Sequence, residues 1–317
     1  MTGFVFGAAT HTGKVRRTNQ DQLLTNAPMF AVADGMGGHR GGEIASAMVV
    51  DALATAATVA TIDDLIEEVQ EANVRIINRG RLDRELKGMG TTVTVLTGLQ
   101  RAGPDRLGVA NVGDSRLYRL TDGTLCQHTE DHSLVESLVR DGRLTRAEAA
   151  VHPQRNIITR ALGIDERVLV DAWELVPVVG DRYLLCSDGL FNEVDEDEIC
   201  DVLNSIGSAQ AAADELVDRA VTAGGRDNIT VVVVDITAAD IGDKPPDDRV
   251  IATHLALQDP VSTVESPDTD ALDGEASDLQ SGQYRHESVP AIMTRRLVLL
   301  VVAALIVLAV LLTAIAA

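Results

Sequence analysis

The chain has 317 residues and a net charge of −21, because 48 aspartate and glutamate residues outnumber 27 lysine and arginine residues. Its length exceeds that of one average domain and fits a single large domain followed by further segments. A polyanion such as DNA or RNA would be repelled by so acidic a chain. The sequence offers no basic face or aromatic platform to compensate, so no nucleic-acid partner is expected.

The first ten residues alternate in a pattern that predicts a first strand. They contain neither a basic region nor an apolar run long enough for a signal peptide. The polar loop that follows reads V-R-R-T-N-Q-D over residues 15–21 and contains Arg16 and Asp21. An arginine in a loop is usually a solvated surface charge, so the residues alone assign no function to Arg16.

Residues 30–46 form the most informative stretch, with the sequence F-A-V-A-D-G-M-G-G-H-R-G-G-E-I-A-S. An apolar strand ends at Asp34, a glycine-rich turn follows, and a helix is predicted to start near Glu43. Glycine allows backbone conformations closed to other residues and lets the main chain approach a ligand closely. Asp34 therefore stands beside exposed backbone groups, which suits a hard cation or a phosphate. Asp-Gly is also a common turn dipeptide, so this stretch alone leaves both interpretations open.

Three further aspartates occur where an apolar strand pattern meets a glycine or an asparagine. Asp114 lies in A-N-V-G-D-S-R, Asp188 in L-L-C-S-D-G-L, and Asp227 in G-G-R-D-N-I-T-V-V-V-V. Strand ends that gather at one edge of a sheet would bring these carboxylates together. Such clusters bind Mg²⁺ or Mn²⁺.

Apolar periodicity and capping patterns predict the remaining elements. Helices are predicted at residues 43–57, 62–77, 133–140, 196–203 and 209–222, with capping boxes at Thr61/Asp64 and Thr145/Glu148, an N-cap at Ser208 and a C-terminal stop at Gly224. Strands are predicted at residues 88–99, 107–112, 115–120, 124–129, 168–176, 182–186 and 228–236. Strand runs and helix pairs without strict alternation predict an α+β fold with antiparallel sheets.

The three cysteines, Cys126, Cys186 and Cys200, form no C-x-x-C pair. Cys126 and Cys186 lie in apolar strand patterns, so we expect small core residues in a reducing compartment.

The composition changes after residue 239. Residues 240–294 contain twelve acidic residues against three basic ones and few large apolar side chains, which predicts a disordered acidic linker. Residues 297–317 contain no charge, and a helix of that length would extend roughly 31 Å, enough to cross a bilayer. Arg295 and Arg296 precede this span, so the positive-inside rule predicts a tail anchor with the main domain in the cytoplasm.

Six stretches resemble, in their order along the chain, the motifs of the metal-dependent PP2C-type (PPM) protein serine/threonine phosphatases in their bacterial form. They are V-R-R-T-N-Q-D (15–21), V-A-D-G-M-G-G-H (32–39), G-M-G-T-T-V (88–93), N-V-G-D-S-R (111–116), S-D-G-L (187–190) and D-N-I-T (227–230). The resemblance implies an αββα sandwich of two antiparallel sheets flanked by helix pairs. The expected organisation is a phosphatase domain at 1–239, the acidic linker at 240–294 and a transmembrane anchor at 295–317.

The resemblance also implies the site. Two ions, Mn²⁺ or Mg²⁺, would hold the hydroxide that attacks the phosphate. Arg16 would grip the substrate phosphate, and residues 131–165 would form a flap beside the site. The implied metal ligands are Asp34 as the bridge, the carbonyl of Gly35, Asp188, Asp227, Asp21 through water, and Asp114 with Asp188 for a weaker third ion.

This chain departs from the family pattern at two points. Gln20 stands where the family has a glutamate, and Met36 stands where eukaryotic members have a histidine that serves as general acid. His39 lies three residues further on and is not assumed to replace that histidine. His152 in the flap is an alternative acid or base, although a histidine before proline is more often a surface residue.

The resemblance predicts dephosphorylation of phosphoserine and phosphothreonine in proteins, opposing membrane-associated Ser/Thr kinases, by a monomer. Two alternatives stay open: a catalytically inactive metal-binding module on the same fold, and a phosphatase dedicated to one regulatory partner. The second would normally carry a sensor domain, and the sequence contains no such domain.

Overall fold

The computed structural model describes residues 1–37, 40–56, 58–242 and 250–251. The predictions for His39, for the span 297–317 and for most of the linker lie outside these residues. In the described ranges, no helix is both long enough and apolar enough to cross a bilayer.

Strands and helices together account for most of the described chain. The strands are β1 (Gly3–His11), β2 (Gln22–Asn26), β3 (Met29–Ala33), β4 (Gly35–Met36), β5 (Gly90–Thr91), β6 (Val93–Gly98), β7 (Leu107–Val112), β8 (Arg116–Thr121), β9 (Thr124–Gln127), β10 (Asp171–Leu175), β11 (Arg182–Cys186), β12 (Ile229–Ala238) and β13 (Val250–Ile251). The helices are α1 (Gly41–Ala54), α2 (Ile62–Leu82), α3 (Leu134–Arg140), α4 (Arg146–Ala150), α5 (Asp188–Phe191), α6 (Glu196–Ser205) and α7 (Ala209–Ala223), with a 3-10 turn at Arg84–Leu86.

The described strands form two main antiparallel sheets. One has the order β1-β12-β11-β8-β9, the other has the order β13-β10-β7-β6-β3-β2, and β4 pairs with β5 beside them. Phe30, Trp173, Tyr183 and neighbouring aliphatic residues from both sheets form the core between them. A second apolar cluster joins α1 and α2 to one sheet, and a third joins α5, α6 and α7 to the other. The predicted αββα sandwich is confirmed.

The predicted helix ends are confirmed where capping side chains define them. Thr61 accepts a hydrogen bond from the N–H of Asp64, and the Asp64 carboxylate accepts one from the N–H of Thr61. Thr145 and Glu148 form the second capping box, and Ser208 caps α7. These patterns are short-range, so the sequence defines them without tertiary information.

Four expectations were wrong in detail. The strand expected at 88–99 is interrupted at Thr92, whose hydroxyl and N–H bond the main chain of Asp34. Cys126 is exposed because β9 is an edge strand, so it is not a core residue. Helix α1 begins at Gly41, not near Glu43. The strand expected at 168–176 is limited to Asp171–Leu175.

The described domain extends beyond residue 239. The N–H of Asp105 donates to the carbonyl of Asp240 (2.6 Å), and the N–H of Asp240 donates to Asp105 Oδ2 (2.9 Å). Val250–Ile251, within the predicted linker, pairs with Trp173 and Glu174 of β10 as an edge strand. These described parts of residues 240–294 are therefore tied to the sandwich.

Gly7 permits the close packing of β1 against α7. A Cβ added there would lie 2.2 Å from the main chain of Gln210, and the Gln210 side chain bonds both main-chain groups of Ala8. We expect Gly7→Ala to lower the free energy of unfolding by about 1 to 3 kcal/mol, measured by chemical denaturation. Gly207→Ala is the control, because a Cβ there would meet no atom within 4 Å. Equal stability of the two variants would contradict the packing argument.

Candidate active site

Five aspartates from separate segments meet at one end of the sandwich. They are Asp21 before β2, Asp34 between β3 and β4, Asp114 between β7 and β8, Asp188 at the start of α5, and Asp227 before β12. The charges of the other four all act on the carboxylate of Asp34. The predicted gathering of strand ends is therefore observed, and we call these residues the aspartate cluster.

Burial leaves part of the aspartate cluster without hydrogen-bond partners. Asp21 and Asp114 are only 3% and 7% exposed. Oδ1 is buried without a hydrogen-bond partner in each of Asp21, Asp114 and Asp188. A buried polar atom without a partner is costly and calls for an explanation, such as an ion that binds there.

The pKa values follow from this burial. Burial, and then the charges of the neighbouring aspartates, raise the pKa of both Asp34 and Asp188 well above the ordinary value. Burial also raises the pKa of Asp21 to about 6, although the hydroxyls of Thr230 and Ser187 oppose it. Burial and the nearby charge of Asp131 raise the pKa of Asp114 to about 7. The cluster therefore disfavours its own ionised form, which a bound cation would stabilise.

Asn228 connects the chain ends that carry the cluster. Its Oδ1 accepts the N–H of Gln20 (2.8 Å), and its Nδ2 donates to the carbonyls of Thr12 and Thr18 (2.9 and 3.0 Å). The side chain thereby fixes the loop between β1 and β2 against the start of β12. Asp227 and Asp21, the immediate neighbours of Asn228 and Gln20, are held together by this one amide.

Hydroxyl groups also position Asp21 and Asp34. Ser187 Oγ donates to Asp21 Oδ2 (2.7 Å) and accepts the N–H of Thr230 (3.0 Å). Thr92 Oγ1 accepts the N–H of Asp34 (2.9 Å) and lies 2.8 Å from Ser115 Oγ. These contacts place the carboxylates without neutralising them.

Gly35 has no room for a side chain. A Cβ there would lie 2.2 Å from the carbonyl oxygen of Gly42 at the start of α1. The main chain after Asp34 therefore runs directly against the helix, which supports the prediction that Gly35 acts through its backbone carbonyl.

Arg16 lies in the loop between β1 and β2 and forms a two-pronged ion pair with Asp227. Its Nε donates to Oδ1 (2.9 Å) and its Nη2 donates to Oδ2 (2.8 Å). This contact raises the pKa of Arg16 above its ordinary value, with burial opposing. The Arg16 side chain is 42% exposed, but its planar fork already binds an oxyanion at the cluster.

A cavity of about 830 Å³, the flap cavity, opens beside the cluster. Asp114 and Asp188 line one side of it, and Glu136, Arg146 and Arg155 of the flap line the other. His152, the alternative acid or base, is not among its lining residues, and its Nδ1 accepts the N–H of Gln154. The cluster thus faces a space that admits part of a large substrate.

His132 joins the flap to the cluster. Its Nδ1 accepts the N–H of Gly113 (2.9 Å), the residue before Asp114, and its Nε2 lies 3.1 Å from Asp171 Oδ2. Arg160 donates to Asp171 Oδ1 (2.6 Å). Burial acts to raise the pKa of Asp171, but His132 and Arg160 outweigh it and lower the pKa to about 2. This network, in which His132 is buried, fixes the turn that carries Asp114.

The chemistry of the cluster suits hard divalent cations, which prefer carboxylate and carbonyl oxygens. The unpartnered oxygens of Asp21, Asp114 and Asp188 point to the same conclusion. Within the described ranges, no group of three or more acidic, histidine or cysteine side chains is arranged so that it could hold a metal ion as it stands. Arg16 holds both oxygens of Asp227, so that ligand would have to exchange its partner.

The sequence prediction missed the residues that position the cluster. Asn228, Ser187 and Thr92 lie inside the quoted motifs, but no role was assigned to them, because their partners are distant in sequence. The helix α5 that begins at Asp188 was also missed. Ser187 precedes it, and serine is a typical N-cap residue that could have indicated the helix, although its hydroxyl here bonds Asp21 and Thr230 and does not cap α5.

Asp34→Asn should stabilise the metal-free protein, because it removes one of five mutually repelling carboxylates. We expect a gain on the order of 1 to 3 kcal/mol in the free energy of unfolding in EDTA, and loss of most of the stabilisation that Mn²⁺ gives the wild type. Thermal unfolding with and without Mn²⁺ measures both. Asp51→Asn, at an exposed position of α1, is the control. A less stable Asp34→Asn protein in EDTA would contradict the repulsion argument.

Comparison with known proteins identifies the family. Residues 10–220 match the family model of protein phosphatase 2C. The chain is 41% identical over 239 residues to the serine/threonine phosphatase stp of Listeria welshimeri. The aligned region covers 71% of this chain and 93% of that protein. It is 40% identical over 252 residues to the serine/threonine protein phosphatase PstP of Mycobacterium tuberculosis, which covers 76% of this chain and 46% of that protein.

Solved structures agree with this result. The crystal structure of the Mycobacterium tuberculosis serine/threonine phosphatase PstP/Ppp matches with a TM-score of 0.70 and 39% identity, over 75% of this chain and all of that one. The catalytic domain of PstP in complex with two manganese ions matches with a TM-score of 0.68 and 37% identity, over the same shares. The resemblance seen in the six motifs is confirmed: the chain belongs to the protein phosphatase 2C family and is a protein serine/threonine phosphatase.

Proposed function

We propose that this phosphatase hydrolyses phosphoserine and phosphothreonine in proteins with two divalent cations, Mn²⁺ or Mg²⁺, held by the aspartate cluster. The observation that carries the proposal is the set of unpartnered buried carboxylate oxygens beside the flap cavity. A structural cluster would be neutralised by arginine or lysine, as Asp131 is by Arg116.

The residues of the cluster divide between the ions. Asp34 and the carbonyl of Gly35, with Asp188 and Asp227, would hold the two ions, and Asp21 would act through water. Asp114 with Asp188 would hold a weaker third ion. When bound, such ions supply a nucleophile at neutral pH and positive charge opposite the phosphoryl oxygens. The two manganese ions in the PstP structure favour Mn²⁺ as the first metal to test.

Arg16 would bind the substrate phosphate. Its fork fits a phosphate as well as a carboxylate, and its present acceptor, Asp227, is a proposed metal ligand. A cation that takes the oxygens of Asp227 would release Arg16 towards the flap cavity. The same residue would then orient the phosphate for the reaction.

The flap cavity would receive the phosphorylated segment of a protein substrate. Its volume of about 830 Å³ lies within the usual range of ligand pockets. Membrane-associated Ser/Thr kinases and their targets are the proposed substrates, and the enzyme is proposed to act as a monomer. An inactive metal-binding module on this fold is the alternative, since Gln20 replaces a glutamate of the family pattern.

The purified protein should hydrolyse a phosphothreonine peptide and p-nitrophenyl phosphate only with added Mn²⁺ or Mg²⁺. Asp188→Ala should lose nearly all turnover, because it removes a metal ligand. Circular dichroism should show that the variant is folded, and calorimetry should show weaker Mn²⁺ binding. Activity that survives exhaustive EDTA treatment would contradict the metal mechanism, whereas tight Mn²⁺ binding without turnover would favour the inactive module.

Arg16→Ala should lower kcat/KM for a phosphopeptide, because a two-pronged charged contact is lost. The expected loss of transition-state stabilisation is on the order of 1.5 to 3 kcal/mol. Arg16→Lys should recover only part, since an ammonium lacks the planar fork. Arg17→Ala, its neighbour in the same loop, is the control. Steady-state kinetics at saturating Mn²⁺ distinguish the three variants. Unchanged kinetics in Arg16→Ala would show that Arg16 does not bind the substrate phosphate.

We also propose that residues 297–317 anchor the enzyme in the membrane, with the phosphatase domain in the cytoplasm. This proposal rests on the uncharged run and the preceding Arg295 and Arg296. An acidic linker that repels itself would let the domain range over the inner membrane surface and raise its effective concentration towards membrane-bound substrates.

Fractionation should find the full chain with membranes and a chain truncated after Thr294 in the soluble fraction. Protease added to intact cells should leave the phosphatase domain whole, because the membrane would shield it. A soluble full chain would contradict the anchor, and digestion of the domain in intact cells would show the opposite topology.

A further inference from the structure

The described part of the structure has a second cavity, which is separate from the flap cavity. It has a volume of about 470 Å³ and lies between the C-terminal part of α2, the segment 84–89 and the residues after the flap. The residues that line it are Ile76, Ile77, Gly80, Arg81, Arg84, Lys87, Gly88, Met89, Gly163 and Ile164. It shares none of them with the flap cavity, and we call it the basic cavity.

The basic cavity combines apolar and cationic residues. Ile76 and Met89 are buried, and with Ile77 and Ile164 they supply its apolar side chains. Its charged lining residues are three cations and no carboxylate, in a chain whose net charge is −21. An all-cationic lining is unusual in so acidic a protein.

Two of these cations have no competing partner. Arg81 pairs with Glu166 (2.7 Å), but Arg84 and Lys87 have no ion pair with any described residue. By contrast, Arg75 and Arg79 of α2 each pair with an acidic residue one turn away, Glu71 and Asp83 respectively. Arg84 and Lys87 can therefore bind an anionic ligand without first breaking an ion pair with a described residue.

The surface around the basic cavity is open. Gly88 has φ of +79°, and a Cβ there would meet no atom within 4 Å. Leu82, which follows Arg81 in the chain, is 84% exposed. An apolar recess with an exposed leucine nearby and unpaired cations is typical of a protein interaction site.

We propose that the basic cavity docks an acidic peptide segment of a partner protein, with one aliphatic side chain in the apolar recess and carboxylates on Arg84 and Lys87. Charge complementarity selects an anionic ligand, and the apolar part of the lining selects one with a side chain to bury. Inorganic phosphate would leave that apolar surface unused. Nucleic acid would find no aromatic residue in the lining on which a base could stack.

A membrane surface is a less suitable ligand than a peptide. The apolar residues line a cavity and include the fully or almost fully buried Ile76 and Met89. A flat lipid surface would contact the cations but would not reach the apolar residues inside the cavity. A single side chain of a peptide can enter such a recess, as in other peptide-recognition grooves.

Met89 places this docking site next to the metal-binding turn. A Cβ at Gly41 would lie 3.0 Å from Met89 Cβ, and a Cβ at Gly37 would lie 3.0 Å from Met89 Cα. Met36 pairs with Gly90, the residue after Met89. A segment held in the basic cavity is therefore close to the turn that carries Gly35, so that docking would bring a partner near the active site.

The test uses the full chain and a fluorescein-labelled peptide in which one leucine is flanked on both sides by glutamates. Fluorescence anisotropy should show saturable binding that weakens as salt is raised, because exposed charges are screened. The double variant Arg84→Glu/Lys87→Glu should weaken binding by about tenfold or more. Ile77→Asn should weaken it as well, since it places a polar group in the recess.

Matched controls isolate the site. The double variant Arg75→Glu/Arg143→Glu has the same net charge as the first one, but its changes lie outside both cavities, and it should bind the peptide as the wild type does. Peptides with serine for leucine, or with glutamine for glutamate, should bind more weakly. All variants should retain hydrolysis of p-nitrophenyl phosphate, which shows that they are folded.

Three results would overturn the proposal. Equal peptide affinity in the wild type and in Arg84→Glu/Lys87→Glu would exclude the site. An equal loss of peptide affinity in the control double variant would show that the effect comes from net charge alone. Binding to vesicles of phosphatidylglycerol, but not to the peptide, would identify a lipid surface as the ligand. Peptide binding is measured without turnover, so its failure is distinct from a failure of the proposed phosphatase activity.

Discussion

The mutual repulsion of five aspartates at one end of the sandwich is the constraint on which the rest of the structure depends. Burying these carboxylates, and then placing them near like charges, opposes folding, as the raised pKa values of Asp21 and Asp114 indicate. The scaffold must therefore be stable enough to hold them. Two antiparallel sheets with a shared core, and helices packed on both outer faces, supply that stability.

The way in which the cluster is held matters as much as its stability. Asn228, Ser187 and Thr92 bind main-chain groups and single carboxylate oxygens, so they fix positions without supplying positive charge. Had lysine or arginine filled these positions, the carboxylates would be neutralised and a cation would gain little by binding. The neutral supports thus keep the negative charge available, and they do so from segments that lie far apart in the chain.

Local patterns in the sequence were sufficient for much of the fold and for four members of the cluster, whereas Asp21 was assigned only through the family resemblance. The caps at Thr61 and Thr145 depend on residues three positions away, and those four aspartates lie next to the beginning or end of a recognisable strand. The interruption at Thr92 was not predictable, because it depends on a hydrogen bond to Asp34, which is distant in sequence. The exposure of Cys126 was not predictable either, because it depends on which strand lies at the edge of the sheet. The contacts of Asn228 join residues more than 200 positions apart, so no local pattern reveals them.

Electrostatics also explain why such a site requires cations before any chemistry begins. Two like unit charges roughly 4 Å apart near a protein surface repel each other by about 4 kcal/mol, and a phosphate monoester at this site would face several carboxylates at once. Arg16 alone cannot offset that repulsion, since its charge is already matched by Asp227. Divalent cations held by the cluster would reverse the local sign, and a cation bound to Asp227 would compete with Arg16 for that carboxylate. In the proposed function, cation binding and substrate binding would therefore depend on the same few oxygens, and charge would favour cation binding first.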